Sequence, residues 1–145
     1  VCASADVIRL LRNRARPYLF SNALTPALLG ATLKTLELVI DGDDLRGQLF
    51  RNAQRFRAQM TAAGFDLLPG EHPLIPVMIG DARLAGEMAD ALLSEGVYVI
   101  GFSYPVVPKG QARIRTQMCA RHTDEDVDEA VDAFIRVGKS LKLVE

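Results

Sequence analysis

The sequence predicts an α/β (α+β) fold in which about three mainly antiparallel strands carry helices packed on one face. Three observations support this prediction. Apolar residues recur at helical spacing in several separate segments. Short β-rich runs lie between those segments and are bounded by glycine, proline or aspartate. The 145 residues, 49% of them hydrophobic, are sufficient for one globular core. The expected element order is helix, helix, strand, helix, strand, strand, helix.

The first two predicted helices occupy adjacent segments of the N-terminal half. Between Thr25 and Ile40, apolar residues cover more than one helical stripe, and Pro26 lies where a first-turn proline is tolerated. A helix that is apolar on several sides is expected at a domain or subunit interface. The "DGDD" stretch at 41–44 interrupts this pattern, and an amphipathic helix follows until Gly64 supplies a C-terminal stop.

The remaining elements alternate between strands and helices. A short apolar run ending at Gly80 predicts a strand, Asp81 is the expected cap of the next helix, and a second β-rich run begins after Gly96. Polar and apolar residues alternate at 111–117, "QARIRTQ", as in a strand with one buried face. Thr123 is the predicted N-cap of the last helix, and the acidic residues that follow it suit a helix start.

Two arginines in the last predicted strand are candidates for ligand binding. Because side chains alternate along a strand, Arg113 and Arg115 share one face, and Ile114 points to the other. A guanidinium pairs bidentately with a carboxylate and stays charged, so the two positions suit recognition of an anionic substrate. Spacing alone favours a plainer interpretation, in which both arginines form structural ion pairs with nearby aspartates or glutamates.

A second candidate site precedes the first long helix. In "RPYLFSNALTP", residues 16–26, Ser21 and Asn22 stand immediately before an apolar segment. Hydroxyls and free backbone N–H groups at a helix start bind phosphate well. The plainer interpretation is that both residues only cap the helix, while Tyr18 and Phe20 fill a core.

Composition narrows the classes of function. The chain has 17 Lys and Arg against 18 Asp and Glu, so no basic surplus indicates a nucleic-acid or anionic-membrane partner. Cys2 and Cys119 have no disulfide or zinc spacing, and reduced thiols fit a cytosol or an organelle matrix. His122 is expected to be structural and Lys109 to be a solvated loop charge. The residues alone therefore reveal neither a metal site nor a full catalytic set.

Four segments together carry a family resemblance: "RPYLFSNALTPALLGA", "HPLIPVMIGDARLA", "VIGFSYPVVPKGQARIRTQM" and "HTDEDVDEAVDAF". They closely resemble the C-terminal third of the α-oxoamine synthases, which use pyridoxal 5'-phosphate (PLP) and have the aspartate-aminotransferase fold. "RPYLFSN" joined to "YPVVPKGQARIRTQ" resembles the glycine C-acetyltransferase branch. The resemblance implies that residues 1–145 form the small C-terminal domain with an interdomain helix region at its start. The large PLP-binding domain is then expected upstream of Val1.

The resemblance also implies a reaction and places roles on this sequence. In that branch, glycine condenses with acetyl-CoA to 2-amino-3-ketobutyrate and CoA, within threonine degradation, with PLP as cofactor. By motif position, Arg115 of the R-x-R-T segment would hold the substrate carboxylate, and Arg113 would be a supporting charge. Ser21, with Asn22 beside it, would approach the cofactor phosphate across a dimer interface.

The same resemblance sets expectations for partners and location. None of the four lysines matches the family's Schiff-base segment, so the chain alone is expected to be inactive. A homodimer, threonine dehydrogenase as a partner enzyme, and a cytoplasmic location (the mitochondrial matrix in a eukaryote) are implied. Two alternatives stay open. One is a sibling synthase with another acyl-CoA or amino acid, and the other is a free-standing module that binds a small ligand without chemistry.

Overall fold

A computed structural model describes residues 2–20 and 24–145, which divide into two units after Gly42. The first unit contains α1 (Ala5–Arg14), α2 (Arg16–Leu19) and α3 (Pro26–Ile40). The elements of the second unit are α4 (Asp43–Ala62), β1 (Leu74–Gly80), α5 (Ala82–Ser94), β2 (Ile100–Phe102), β3 (Ala112–Gln117) and α6 (Asp124–Ser140). The predicted order of elements is confirmed from α3 onward, whereas α1 and α2 were not predicted.

Helix α3 begins where its sequence predicts. The Thr25 hydroxyl accepts a hydrogen bond from the backbone N–H of Leu28 at 3.4 Å, and a proline occupies the first turn. In the part of the chain that the structure describes, no residue of α3 is buried. Its large apolar side chains are exposed: Leu28, Leu29, Leu33, Leu36, Leu38, Val39 and Ile40. The expected burial at an interface therefore stays a prediction.

The second unit is built on an antiparallel three-stranded sheet in the order β1-β3-β2. The central strand β3 aligns Arg115 with Pro76 on one side and Ile100 on the other. It likewise aligns Arg113 with Met78 and Phe102. Since directly opposed residues project to the same face, these six side chains share one side of the sheet.

The other face of the sheet is the core of this unit. Ile75, Val77 and Ile114 are fully buried there against α4, α5 and α6. The ring of Phe134 packs edge-on against Phe56 and Phe65, with ring centroids 5.9 and 6.0 Å apart. The prediction of three antiparallel strands with helices on one face is confirmed.

Helix ends in this unit follow the predicted signals. The Asp81 carboxylate accepts from the N–H of Leu84 at 2.9 Å. Thr123 and Asp126 form a reciprocal capping box at the start of α6, with bonds of 3.1 and 2.8 Å. Gly64, with φ +90°, follows α4 as its expected stop. Each of these local predictions is confirmed.

Strand β2 lies unusually close to α5. A Cβ atom placed on Gly101 would be 2.9 Å from the carbonyl oxygen of Ala85 and 3.2 Å from its carbonyl carbon. Real Cβ atoms do not approach backbone that closely, so a side chain here would force strand and helix apart. The absence of a side chain at position 101 thus sets the distance between β2 and α5.

Helices α4 and α6 are joined by a polar cluster. Arg55 Nη2 lies 2.6 Å from Asp128 Oδ2, and Arg55 Nη1 lies 3.2 Å from Asp124 Oδ2. Gln59 donates to the other oxygen of Asp128 at 2.6 Å. The hydrogen bond from Arg55, followed by that from Gln59, lowers the pKa of Asp128 to about 2.

The depressed pKa of Asp128 predicts acid-sensitive stability. Its carboxylate stabilises the fold fully above the unfolded pKa of about 4, and this contribution is lost as the pH falls through about 2. Asp128→Asn should therefore lower the urea midpoint of the full-length protein at pH 7, and the deficit should shrink below about pH 5. Asp132→Asn, on the same helix, is the matched control. A deficit of equal size at pH 7 and pH 3 would contradict this assignment.

Candidate functional site

The face of the sheet opposite the core carries the two predicted arginines. Along β3, Ala112, Ile114 and Thr116 are buried, whereas Arg113 is half-buried and Arg115 is exposed. The alternation expected from the sequence is confirmed. Because β3 is the central strand, both guanidinium groups project from the middle of the sheet rather than from an edge strand.

Arg115 rests on an aromatic ring. Its guanidinium carbon lies 4.1 Å from the centroid of the Phe102 ring. Among the described residues, this guanidinium forms neither an ion pair nor a hydrogen bond. Its N–H donors are therefore open to an external acceptor.

Arg113 is engaged locally. Its Nε donates to the backbone carbonyl of Gln111 at 3.1 Å, and its Nη2 donates to the side-chain oxygen of the same residue at 3.2 Å. Neither arginine pairs with a carboxylate in the described chain, so the interpretation as two structural ion pairs is wrong. The two arginines differ in their local contacts, because Arg113 donates to Gln111 near the start of β3 while Arg115 has no such bond among the described residues.

A groove of about 880 Å³ opens beside Arg115. The segment from Glu95 to Ile100 forms one wall, and α6 forms another, with Glu129 and Asp132 among its side chains. Arg136 on the same wall is neutralised by Glu95 at 2.8 Å. None of the lysines of the second unit lines this groove. Arg115 also borders this groove, although its side chain projects from the face of the sheet opposite the core and α6.

The turn after β3 is held by a residue that sequence reasoning missed. Asn52 is buried in α4 and donates to the carbonyls of Cys119 and His122, both at 2.8 Å. His122 Nδ1 accepts from the N–H of Cys119 at 3.3 Å, which confirms the structural role expected for this histidine. A polar residue at an apolar position of the α4 pattern, between Leu49 and Phe56, was the available signal.

Other candidates from the sequence have mixed outcomes. Ser21 and Asn22 lie outside the described residues, so their phosphate-binding role stays a prediction. Lys109 is exposed in a loop, as expected of a solvated charge, and its Nζ lies 5.2 Å from the centroid of the exposed Tyr104 ring. In residues 2–20 and 24–145, no cluster of potential ligands could hold a metal ion, and no helix is long and apolar enough to cross a membrane.

Comparison with known proteins places this chain in a family. The family model "Aminotransferase class I and II" matches residues 1–134. The chain belongs to the class I and II aminotransferase family. A relative from Salmonella typhimurium, 2-amino-3-ketobutyrate coenzyme A ligase, is 56% identical over 142 residues, which are 98% of this chain and 36% of that protein. The human mitochondrial protein of that name is 53% identical over 133 residues, or 92% of this chain and 32% of its own length.

A solved structure of the same fold agrees. Serine palmitoyltransferase from Sphingomonas wittichii superposes with a TM-score of 0.90 at 25% identity, and the match covers 99% of this chain and 36% of that one. The aminotransferase-type fold expected from the sequence is thereby confirmed. The chain spans about a third of the length of the curated relatives it matches.

Proposed function

We propose that this chain is the C-terminal part of a glycine C-acetyltransferase, also named 2-amino-3-ketobutyrate coenzyme A ligase. The full-length protein would condense glycine with acetyl-CoA to 2-amino-3-ketobutyrate and CoA, a step in the degradation of threonine to glycine. The identity of 56% to a ligase over 98% of the chain carries the proposal. The unpaired Arg115 guanidinium supports it, because such a group suits the carboxylate of an amino acid.

Only part of the PLP site is expected in this chain. Lys109 packs on Tyr104, and neither Lys139 nor Lys142 lines the groove beside Arg115, so none of the three is placed to bond to the cofactor there. Ser21 and Asn22 would hold the cofactor phosphate. The lysine that bonds to PLP would come from the large domain upstream of Val1. When bound, PLP would accept the electron pair left on glycine after its α-proton is removed.

Arg115 would bind and orient the amino acid. Two N–H donors on one edge of its guanidinium match the two oxygens of a carboxylate, and its charge does not titrate near neutral pH. Fixing the carboxylate at two points would hold the Cα–H bond of glycine in one direction, which is a positioning contribution to the rate. Arg113, tied to Gln111, would support the local positive potential without contacting the substrate.

Assembly and location belong to the same proposal. Helix α3 exposes seven large apolar side chains, and a homodimer would cover such a surface. Light scattering of the full-length protein should give twice the subunit mass, and a monomer mass would contradict the dimer. Threonine dehydrogenase is the proposed partner enzyme. The proposed location is the cytoplasm, or the mitochondrial matrix in a eukaryote, as the name of the human relative indicates for that protein.

A turnover assay tests the proposed reaction. The full-length protein loaded with PLP should release CoA from acetyl-CoA when glycine is supplied, and chain 1–145 alone should release none. Serine and alanine in place of glycine, and longer thioesters in place of acetyl-CoA, test for a sibling synthase. Preference for one of those pairs would overturn the proposed substrates. Binding of glycine without CoA release by the full-length protein would instead favour a non-catalytic module.

A further inference from the structure

Phe102 and Arg115 meet across two strands. The register pairs Phe102 of β2 with Arg113, and it pairs Ile100 with Arg115. The contact between Phe102 and Arg115, at 4.1 Å from guanidinium carbon to ring centroid, is therefore a diagonal one. Diagonal neighbours in antiparallel strands are within reach of aromatic and long side chains. Two regular strands thus hold the ring and the guanidinium together.

The ring leaves the guanidinium ready for a ligand. A guanidinium is planar and carries its five N–H donors around its edge. The contact with the Phe102 ring, at 4.1 Å from guanidinium carbon to ring centroid, uses none of those donors. No acceptor among the described residues takes any of them. The contact restricts the orientation of the group without competing for the hydrogen bonds that a carboxylate requires.

Arg55 shows how an arginine is held in place by a carboxylate instead of an aromatic ring. It is fixed by hydrogen bonds to the Asp128 carboxylate, at 2.8 Å from Nε and 2.6 Å from Nη2, which consume the same donor edge that a substrate would need. An arginine held in that way has a fixed orientation, but the donors on that edge are occupied and cannot bind another anion. The arrangement at Arg115 is ordered by an apolar partner instead, and its donor edge stays available.

We propose that Phe102 is a positioning residue for the amino-acid carboxylate. It sets the plane of the Arg115 guanidinium before the substrate arrives, so that less side-chain freedom is lost when two N–H donors meet the two carboxylate oxygens. Phe102 acts through Arg115 and not on the reacting atoms. This inference rests on the proposed role of Arg115 and adds a second residue to that site.

The test compares two substitutions in the full-length, PLP-loaded enzyme. Phe102→Leu keeps an apolar side chain but removes the flat ring, and it should raise the KM for glycine by about 3- to 10-fold. The kcat should stay within about twofold of the wild-type value, because the substitution weakens the binding of glycine equally in the ground state and in the transition state. The KM for acetyl-CoA should not change. Phe102→Tyr keeps the ring and should retain the wild-type KM for glycine.

A double-mutant cycle separates this inference from the proposed function. In an Arg115→Ala background, Phe102→Leu should have no further effect on the KM for glycine. If Arg115→Ala itself leaves that KM unchanged, the proposed role of Arg115 fails. If Arg115→Ala raises it and Phe102→Leu does not, only the role of Phe102 fails. Equal increases in the KM values for glycine and acetyl-CoA would show that Phe102 acts only through general packing and would overturn the inference. So would a Phe102→Tyr variant that fails to retain the wild-type KM for glycine.

Discussion

Arg115→Ala in the full-length enzyme should raise the KM for glycine and cost on the order of 2 to 4 kcal/mol of transition-state binding. The physical reason is the loss of a charged, bidentate partner for the carboxylate, whose donors are unused by the described residues. Steady-state kinetics with glycine varied at saturating acetyl-CoA measure the effect. The KM for acetyl-CoA should change little.

Arg113→Ala is the matched control for this experiment. It removes a guanidinium of equal charge from the same face of the same strand, but one that already donates to Gln111. Its effect on the kcat/KM for glycine should be small. Equal losses from the two substitutions would mean that the site responds to total positive charge rather than to one oriented guanidinium, and the assignment of Arg115 would be lost.

Phe134→Ala should destabilise the protein by about 3 to 5 kcal/mol. Its ring is 1% exposed and is in edge contact with the rings of Phe56 and Phe65, so the truncation leaves a cavity beside them. Helix α6 also borders the groove beside Arg115. Phe134→Ala should therefore lose activity at a temperature well below the one at which the wild type unfolds. Urea denaturation of the full-length protein measures the free energy of unfolding.

Phe50→Ala on α4 controls for the loss of an aromatic side chain as such. Phe50 is 45% exposed, so its truncation removes little buried area and should change the free energy of unfolding by less than about 1 kcal/mol. Comparable losses from Phe50→Ala and Phe134→Ala would contradict the position of Phe134 at the centre of the core.

Local signals in the sequence predicted most of the second unit. Helix caps such as Asp81 and Thr123 act within three residues, and the alternation along β3 needs no knowledge of its neighbours. Strand β2 was less predictable. Its apolar run begins after Gly96, but the strand begins only at Ile100, since pairing extends no further than Arg115 on β3. How far an edge strand pairs depends on its partner, which local pattern does not contain.

The parts of the site that sequence reasoning missed are all long-range. Phe102 reaches Arg115 diagonally, which requires the register of β2 on β3. Asn52 holds carbonyls 67 and 70 residues away. Helix α1 was missed although its local signals are present, since Ser4 precedes it, Asp6 lies in its first turn, and Arg12 and Arg14 lie in its last turn.

The close approach at Gly101 limits how this protein can be engineered. Gly101 lies between Ile100 and Phe102, whose side chains share the face of the sheet that carries the two arginines. A side chain at position 101 would point to the backbone of Ala85. A directed-evolution library that enlarges position 101 would displace the strand carrying Phe102. The packing of β2 on α5 and the placement of Phe102 are therefore not independently adjustable at this point of the chain, and libraries aimed at either should leave Gly101 unvaried.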